Sequence, residues 1–135
     1  MNTESKTVKK IFSKLCSQNR YVFPKVGWAD APTARGVYII RKKETVLHVG
    51  ISARGKYGLY QRLQNHLNGK GSSFVWYYKP LKCKADILLR KGGHTYQYLV
   101  VNNPRKRALL EHYALGMLCP KYIGINLGPL PKKRK

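Results

Sequence analysis

The chain has 135 residues, of which 43% are hydrophobic, so it is long and apolar enough for one domain with a buried core and is not a disordered chain. No apolar run approaches the roughly 20 residues that a membrane span requires, and we expect neither a span nor a secretory signal. The formal net charge of +22, from 27 Lys and Arg against 5 Asp and Glu, predicts a polyanionic partner, with nucleic acid favoured over a membrane surface.

The first half of the chain contains four predicted elements separated by polar segments. Apolar side chains recur at helical spacing in residues 5–18, which predicts a helix, whereas prolines and glycine in residues 19–35 predict a connecting loop. Two short β-prone runs, residues 36–40 and 45–50, are joined by a polar segment and predict a hairpin. Leucines on one face predict a second helix over residues 58–67.

The second half is less regular until its last helix. Residues 73–90 show no clear period, and we interpret their aromatic run as core packing rather than as a base-stacking surface. Residues 95–101 predict a strand. Asn103 and Pro104 are the residue types of an N-cap and a first helical position, and Pro120 ends the helix that follows them.

Together these elements predict an α+β fold, in which a small three-stranded antiparallel sheet is flanked by helices. We divide the chain into an N-terminal helix with its connecting loop (1–33), a main domain (34–128) and a basic tail (129–135).

Two glycine-containing triplets lie in the predicted hairpin. They are Gly36-Val37-Tyr38 and His48-Val49-Gly50. In a hairpin of this length the triplets can lie side by side, so Tyr38 and His48 could project from neighbouring strands toward one face. The pair resembles the triplets that name the GIY-YIG nucleases, although His48 stands where that family usually has tyrosine. The resemblance implies that Tyr38 acts as the general base or positions the attacking water.

The resemblance continues downstream and covers about residues 34–127. Arg62 and His66 share one face of the predicted second helix, and this helix is similar to the family's helix that supplies an arginine and often a histidine. Glu111, in the last predicted helix, matches the family's metal-binding glutamate, and Asn126 is similar to its closing asparagine. Within the family, the pattern is most like that of the restriction endonucleases.

The chemistry of phosphodiester hydrolysis calls for these residue types. It needs an activated water, neutralisation of developing charge and stabilisation of the leaving oxygen, and a divalent ion can supply the last two. Of the five acidic residues, Glu111 alone lies at the edge of an apolar helical stripe, so we expect it to hold one Mg²⁺ or Mn²⁺ per site. Arg62 would clamp a phosphate oxygen. The candidate DNA contacts are Arg54, Lys56 and Lys70.

Proton transfer is the less determined part of the expected site. Tyrosine has an unperturbed pKa near 10, so we expect nearby cations and the metal to favour the Tyr38 phenolate. His48 could accept the proton of Tyr38 or position the water itself, or it could simply pack in the hairpin. If His48 is the relay, its unperturbed pKa near 6.5 predicts that activity falls as the pH drops through that value.

We therefore expect a divalent-metal-dependent DNA endonuclease of the restriction or a related type. One site cuts one strand, so a double-strand break would need a homodimer or two successive events. The alternative is a non-catalytic basic nucleic-acid-binding protein with a degenerate nuclease fold. We expect a cytoplasmic, nucleoid-associated protein in a prokaryote or a nuclear one in a eukaryote, since the tail resembles a nuclear-localisation cluster.

Overall fold

The computed structural model describes residues 2–69, 77 and 84–123. Within them the chain forms, in order, α1 (Thr3–Cys16), β1 (Tyr21–Val22), β2 (Gly36–Lys42), β3 (Thr45–Ile51), α2 (Gly58–Leu67), α3 (Ala85–Leu89), β4 (His94–Val100) and α4 (Pro104–Leu118). The expected α+β architecture is present. Lys70, Asn126 and the basic tail lie outside the described residues, as does the aromatic run except for Tyr77, which packs against the core.

The sheet has four strands among the described residues, in the order β1-β4-β2-β3, and all neighbours are antiparallel. The expected count of three strands was wrong because β1 lies inside the segment predicted to be a loop. Its two residues, Tyr21 and Val22, pair with Tyr96 and Thr95 of β4. A strand of two residues is too short to display the alternation of apolar and polar residues by which strands are recognised in a sequence.

The hairpin of β2 and β3 confirms the predicted alignment of the two triplets. Tyr38 is paired with Gly50, and Ile40 is paired with His48. The strands extend further than expected, so that Arg41 belongs to β2 and is buried instead of lying in a polar connection. Its guanidinium donates a hydrogen bond to the side-chain oxygen of Gln97 on β4, which satisfies one of its buried donors.

Two apolar clusters cover the faces of the sheet. On one face α1 and α4 pack against β2 and β3, through Leu15, Val37, Ile39, Val49, Leu110 and Ala114. On the other face α2 packs against β2, and α3 packs against α2, in a cluster that contains Tyr38, Ile40, Leu59, Leu63, Leu67 and Leu89. Tyr38 therefore faces α2, the helix that carries Arg62 and His66.

Local chemistry fixes where the second and fourth helices begin. Gly58 starts α2 with φ +50°, and a Cβ there would lie 2.2 Å from the carbonyl oxygens of Thr33 and Ala34, so a glycine is required. At α4, the predicted N-cap is confirmed, because Oδ1 of Asn103 accepts a hydrogen bond of 2.9 Å from the backbone N–H of Lys106. In the described part of the chain, no helix combines the length and apolar character needed to cross a membrane.

Candidate active site

Tyr38 lies at the centre of the candidate site because Gly50 leaves room for its ring. The side chain is fully buried, and the tyrosine is paired directly with Gly50 on β3. A Cβ built on Gly50 would lie 2.3 Å from the Tyr38 hydroxyl oxygen, far inside van der Waals contact. The glycine of the second triplet therefore serves to admit the tyrosine of the first.

The hydroxyl of Tyr38 is hydrogen-bonded to His66 of α2. The oxygen lies 2.6 Å from Nε2, and both residues are fully buried. Burial raises the pKa of Tyr38 to about 12, although the Arg62 guanidinium acts to lower it. Burial also holds the pKa of His66 well below its usual value. Both groups are thus neutral at neutral pH, and the expected phenolate is not favoured, because desolvation outweighs the nearby cation.

His48 projects into the same cluster, as the hairpin predicted. Its ring centroid lies 5.8 Å from that of Tyr38 and 4.9 Å from that of His66. Burial and the nearby Arg62 charge lower the pKa of His48 to about 4, against the smaller opposing effect of a hydrogen bond with the backbone of Tyr122. His48 therefore titrates well below its unperturbed pKa near 6.5, because the imidazolium would lose its hydration inside the protein.

Arg62 is the cation of this cluster and is partly exposed. Its charge acts on Tyr38, His48 and Glu111, so a single guanidinium connects the hairpin, α2 and α4. Its Nε atom is buried and has no hydrogen-bond partner among the residues that the structure describes. Such a donor is costly to bury without an acceptor, and the planar guanidinium suits an oxyanion.

Glu111 brings a carboxylate to the cluster from the opposite face of the sheet. It follows the buried Leu110 on α4 and is itself partly exposed. Burial raises the pKa of the Glu111 carboxyl, while the charges of His112 and Arg62 lower it by less. A carboxylate that has lost hydration in this way is stabilised by a bound cation, which is the setting a divalent ion would fit.

The other four acidic residues lie elsewhere. Glu4 pairs with Arg105 at 2.6 Å and Glu44 pairs with Arg20 at 2.9 Å. Asp86 lies in the first turn of α3, and Asp30 is exposed in the loop between β1 and β2. Among residues 2–69, 77 and 84–123 there is no cluster of three or more His, Cys, Asp or Glu side chains suited to a metal. Glu111 is thus the carboxylate that fits a single hard cation, whose other ligands would be waters and substrate oxygens.

A shallow depression of about 320 Å³ opens beside Arg62, between the loop after β3 and α2. Arg54 contributes to its wall together with Gln61 and Asn65. Lys56 is exposed in the same loop, just before α2. Of the three expected DNA contacts, Arg54 therefore lies beside Arg62, and Lys56 lies in the same loop.

One neighbour of the site was not identified from the sequence. The backbone N–H of Tyr122 donates a hydrogen bond of 3.0 Å to the carbonyl of Leu47, which places the segment after α4 alongside β3 and next to His48. Because this contact is made by backbone atoms, the pattern of side chains in the sequence does not predict it.

Comparison with known proteins gives a distant structural likeness. No protein-family model matches the sequence, and no curated protein is significantly similar to it. The chain is similar to the N-terminal GIY-YIG endonuclease domain of UvrC from Thermotoga maritima bound to its catalytic divalent cation, magnesium, with 22% identity, a TM-score of 0.48, and coverage of 92% of this chain and 100% of that one. Two single-residue variants of the same domain, also bound to the catalytic cation, give the same identity and TM-score and are covered over 99% of their length. An identity of 22% and a TM-score of 0.48 are too low to assign the activity of that domain to this chain.

Proposed function

We propose that this protein is a divalent-metal-dependent endonuclease that hydrolyses phosphodiester bonds in DNA. The observation that carries the proposal is the hydrogen bond of 2.6 Å between the Tyr38 hydroxyl and Nε2 of His66. It lies in a buried cluster that also holds the Arg62 guanidinium and interacts with the half-buried Glu111 carboxylate. This set contains a proton-accepting pair, an oxyanion-binding cation and a candidate metal ligand.

In this proposal Tyr38 and His66 activate the attacking water together. A lone pair of the Tyr38 oxygen accepts a hydrogen bond from water, while the Tyr38 O–H donates to Nε2 of His66. As water loses its proton to Tyr38, the tyrosine proton moves to His66, so no phenolate has to accumulate against a pKa of about 12. The negative charge of the substrate phosphodiester favours the imidazolium that forms.

Arg62 and Glu111 act on the phosphate in this scheme. The guanidinium donates hydrogen bonds to a non-bridging oxygen and stabilises charge that develops in the transition state. Glu111 would hold one Mg²⁺ or Mn²⁺, which when bound supplies charge neutralisation at the phosphate and the leaving oxygen. His48 packs against His66 and holds its ring in place, which makes it a positioning residue.

DNA is the proposed substrate because the formal net charge of +22 favours a polyanion and the cluster suits a phosphodiester. The finer expectation of a restriction-type enzyme depends on the order of the motifs in the sequence. We also propose that Asn126 acts as the closing asparagine of the site and that Lys70 contacts DNA. A homodimer is proposed for double-strand cleavage. Sequencing the ends of products from a mixed-sequence substrate would test the restriction assignment.

Nicking of supercoiled plasmid tests the proposed activity. We expect nicking with Mg²⁺ or Mn²⁺ and none when the metal is chelated. Tyr38→Phe and Arg62→Ala should each lower the single-turnover rate by about 10²–10⁴. The exposed Arg54 offers a matched control for Arg62, since Arg54→Ala removes the same charge and should weaken binding more than turnover. A folded protein that binds DNA and never nicks it would favour the alternative, a non-catalytic binder.

A further inference from the structure

The loop between β1 and β2 presents large apolar side chains to solvent. Val26 is 84% exposed and Trp28 is 70% exposed. Neighbouring apolar side chains that are exposed together and bordered by charged residues are typical of binding surfaces, because their contact with water is unfavourable until a partner covers them. We propose that Trp28 is a stacking platform for an unpaired base of the nucleic-acid strand bound at the candidate active site; its relation to that site rests on the proposed function.

Side chains from two other elements hold this loop in shape. Arg90 donates hydrogen bonds to the carbonyl oxygens of Pro24, at 2.8 Å, and of Gly27, at 2.9 Å. On the other side of the tryptophan, the N–H of Ala29 donates to the side-chain oxygen of Gln64 on α2, at 3.2 Å. The tryptophan is therefore displayed from a fixed backbone, which lowers the entropic cost of binding a partner.

A second aromatic ring supports the tryptophan. The ring of Tyr60 on α2 lies 6.5 Å from that of Trp28, centroid to centroid. Tyr57, the N-cap residue just before α2, is 49% exposed and has the ammonium of Lys56 5.8 Å from its ring. Aromatic rings interleaved with cations are the pattern that binds single strands, in which bases stack and phosphates pair with charge.

The platform lies across α2 from the proposed catalytic cluster. Tyr60 and Arg62 are two residues apart on this helix, so they point to roughly opposite sides of it. A helix with its side chains is about 10–12 Å across. At roughly 3.4 Å per nucleotide of a strand, about three nucleotides would connect a phosphate at Arg62 with a base at Trp28.

The charges around the loop favour nucleic acid over a protein partner. The depression beside Val26 is lined by Lys25, Arg90 and Lys91, with Asp86 as the acidic member. Bases in an intact duplex are covered by their neighbours and cannot stack on a protein ring. The platform therefore selects single-stranded or locally unpaired DNA.

Equilibrium binding in a Glu111→Gln background, which leaves the substrate uncut, tests the proposal. The probes are a fluorescein-labelled oligothymidylate and a duplex of the same length. Trp28→Ala and Trp28→Leu should weaken single-strand binding about 5- to 100-fold, the value of one lost base stack, while Trp28→Phe keeps most of the affinity. Val22→Ala, at another side chain that is 66% exposed, is the matched control and should change nothing. Duplex binding and the salt dependence should stay close to those of the parent.

Two results would overturn the platform. One is single-strand affinity that Trp28→Ala and Trp28→Leu leave intact. The other is a loss of self-association on sedimentation with no loss of DNA binding, which would make the loop a protein contact. If the protein nicks plasmid and Trp28 substitutions leave its single-strand affinity unchanged, the platform is refuted and the nuclease proposal is not. A chain that binds the oligothymidylate through Trp28 but never nicks refutes the nuclease alone.

Discussion

The Tyr38 hydroxyl oxygen and Nε2 of His66 are hydrogen-bonded at 2.6 Å, across the interface between β2 and α2. The sequence pattern pointed to His48 as the proton acceptor because it occupies the second triplet. The structure places His48 with its ring 4.9 Å from that of His66, so the two histidines lie in one cluster with His66 next to the tyrosine oxygen. In the proposed reaction the relay therefore runs through His66.

The first prediction concerns this relay. His66→Gln keeps a polar side chain of similar size but cannot take up a proton, so single-turnover cleavage should fall about 10²–10⁴. Because Tyr38 and His66 act as a unit, adding His66→Gln to Tyr38→Phe should cost much less than it does alone. Asn68→Ala, at the exposed residue that follows α2, is the control and should leave the rate unchanged. Additive losses in the double variant would argue against the relay.

The second prediction concerns the close approach of Tyr38 to Gly50. Gly50→Ala would place a Cβ 2.3 Å from the tyrosine hydroxyl, so the ring must move. We expect a loss of about 1–3 kcal/mol in the free energy of unfolding, together with a loss of cleavage. Gly116→Ala is the matched control on α4, since a Cβ there meets nothing within 4 Å. That change should stabilise the protein by about 0.4–1 kcal/mol, as measured by urea unfolding.

The third prediction follows from the buried histidine on β3. Burial lowers the pKa of His48 from 6.5 to about 4, so between these values the unfolded chain binds the proton and the folded chain does not. The contribution of His48 to the free energy of unfolding is therefore fully present above the pKa of the unfolded chain. It is lost as the pH falls toward the pKa of the folded protein, by about 3 kcal/mol in total. The free energy of unfolding of the parent minus that of His48→Phe should fall by this amount between pH 7 and pH 4. A difference that stays constant with pH would show that His48 is not buried as the neutral form.

The fourth prediction concerns the pH profile of cleavage. Since His48 titrates near pH 4 and is not the relay in this account, His48→Phe should leave the shape of the profile unaltered from roughly pH 6 to pH 8. The rate of the folded fraction should fall only through looser packing of His66. An acid limb near pH 6.5 that disappears in His48→Phe would restore His48 as the proton acceptor.

Much of the fold could be predicted from the sequence because its signals are local. The bounds of α2 and the N-cap of α4 depend on leucine spacing and on Asn103 with Pro104, which act within a few residues. The register of the hairpin could not be predicted from its connection alone, because an irregularity between Ile40 and Arg41 shifts the pairing by one residue and so brings Tyr38 and His48 to one face. β1 was not predicted because two residues are too few to show the alternation of apolar and polar side chains that is typical of a strand.

The residues that form the candidate site could be predicted from the sequence better than their pKa values could. Tyr38, Arg62 and Glu111 follow from motif spacing, but the neutral state of Tyr38 depends on burial by side chains from several elements. The same holds for His48, whose pKa is set by desolvation and by an arginine distant in sequence. A binding role for Trp28 was not predicted either, because the sequence of a loop does not show which of its aromatic side chains are exposed.

Cleavage and binding by Glu111→Gln, measured side by side with the parent, test the central claim most directly. The substitution removes the carboxylate proposed to hold the metal and leaves the basic surface, so Mg²⁺-dependent nicking should vanish while DNA affinity holds or rises and remains strongly salt-dependent. Glu44→Gln, which removes an exposed carboxylate paired with Arg20 outside the cluster, is the control and should nick normally. Full nicking by Glu111→Gln in Mg²⁺ would contradict the account.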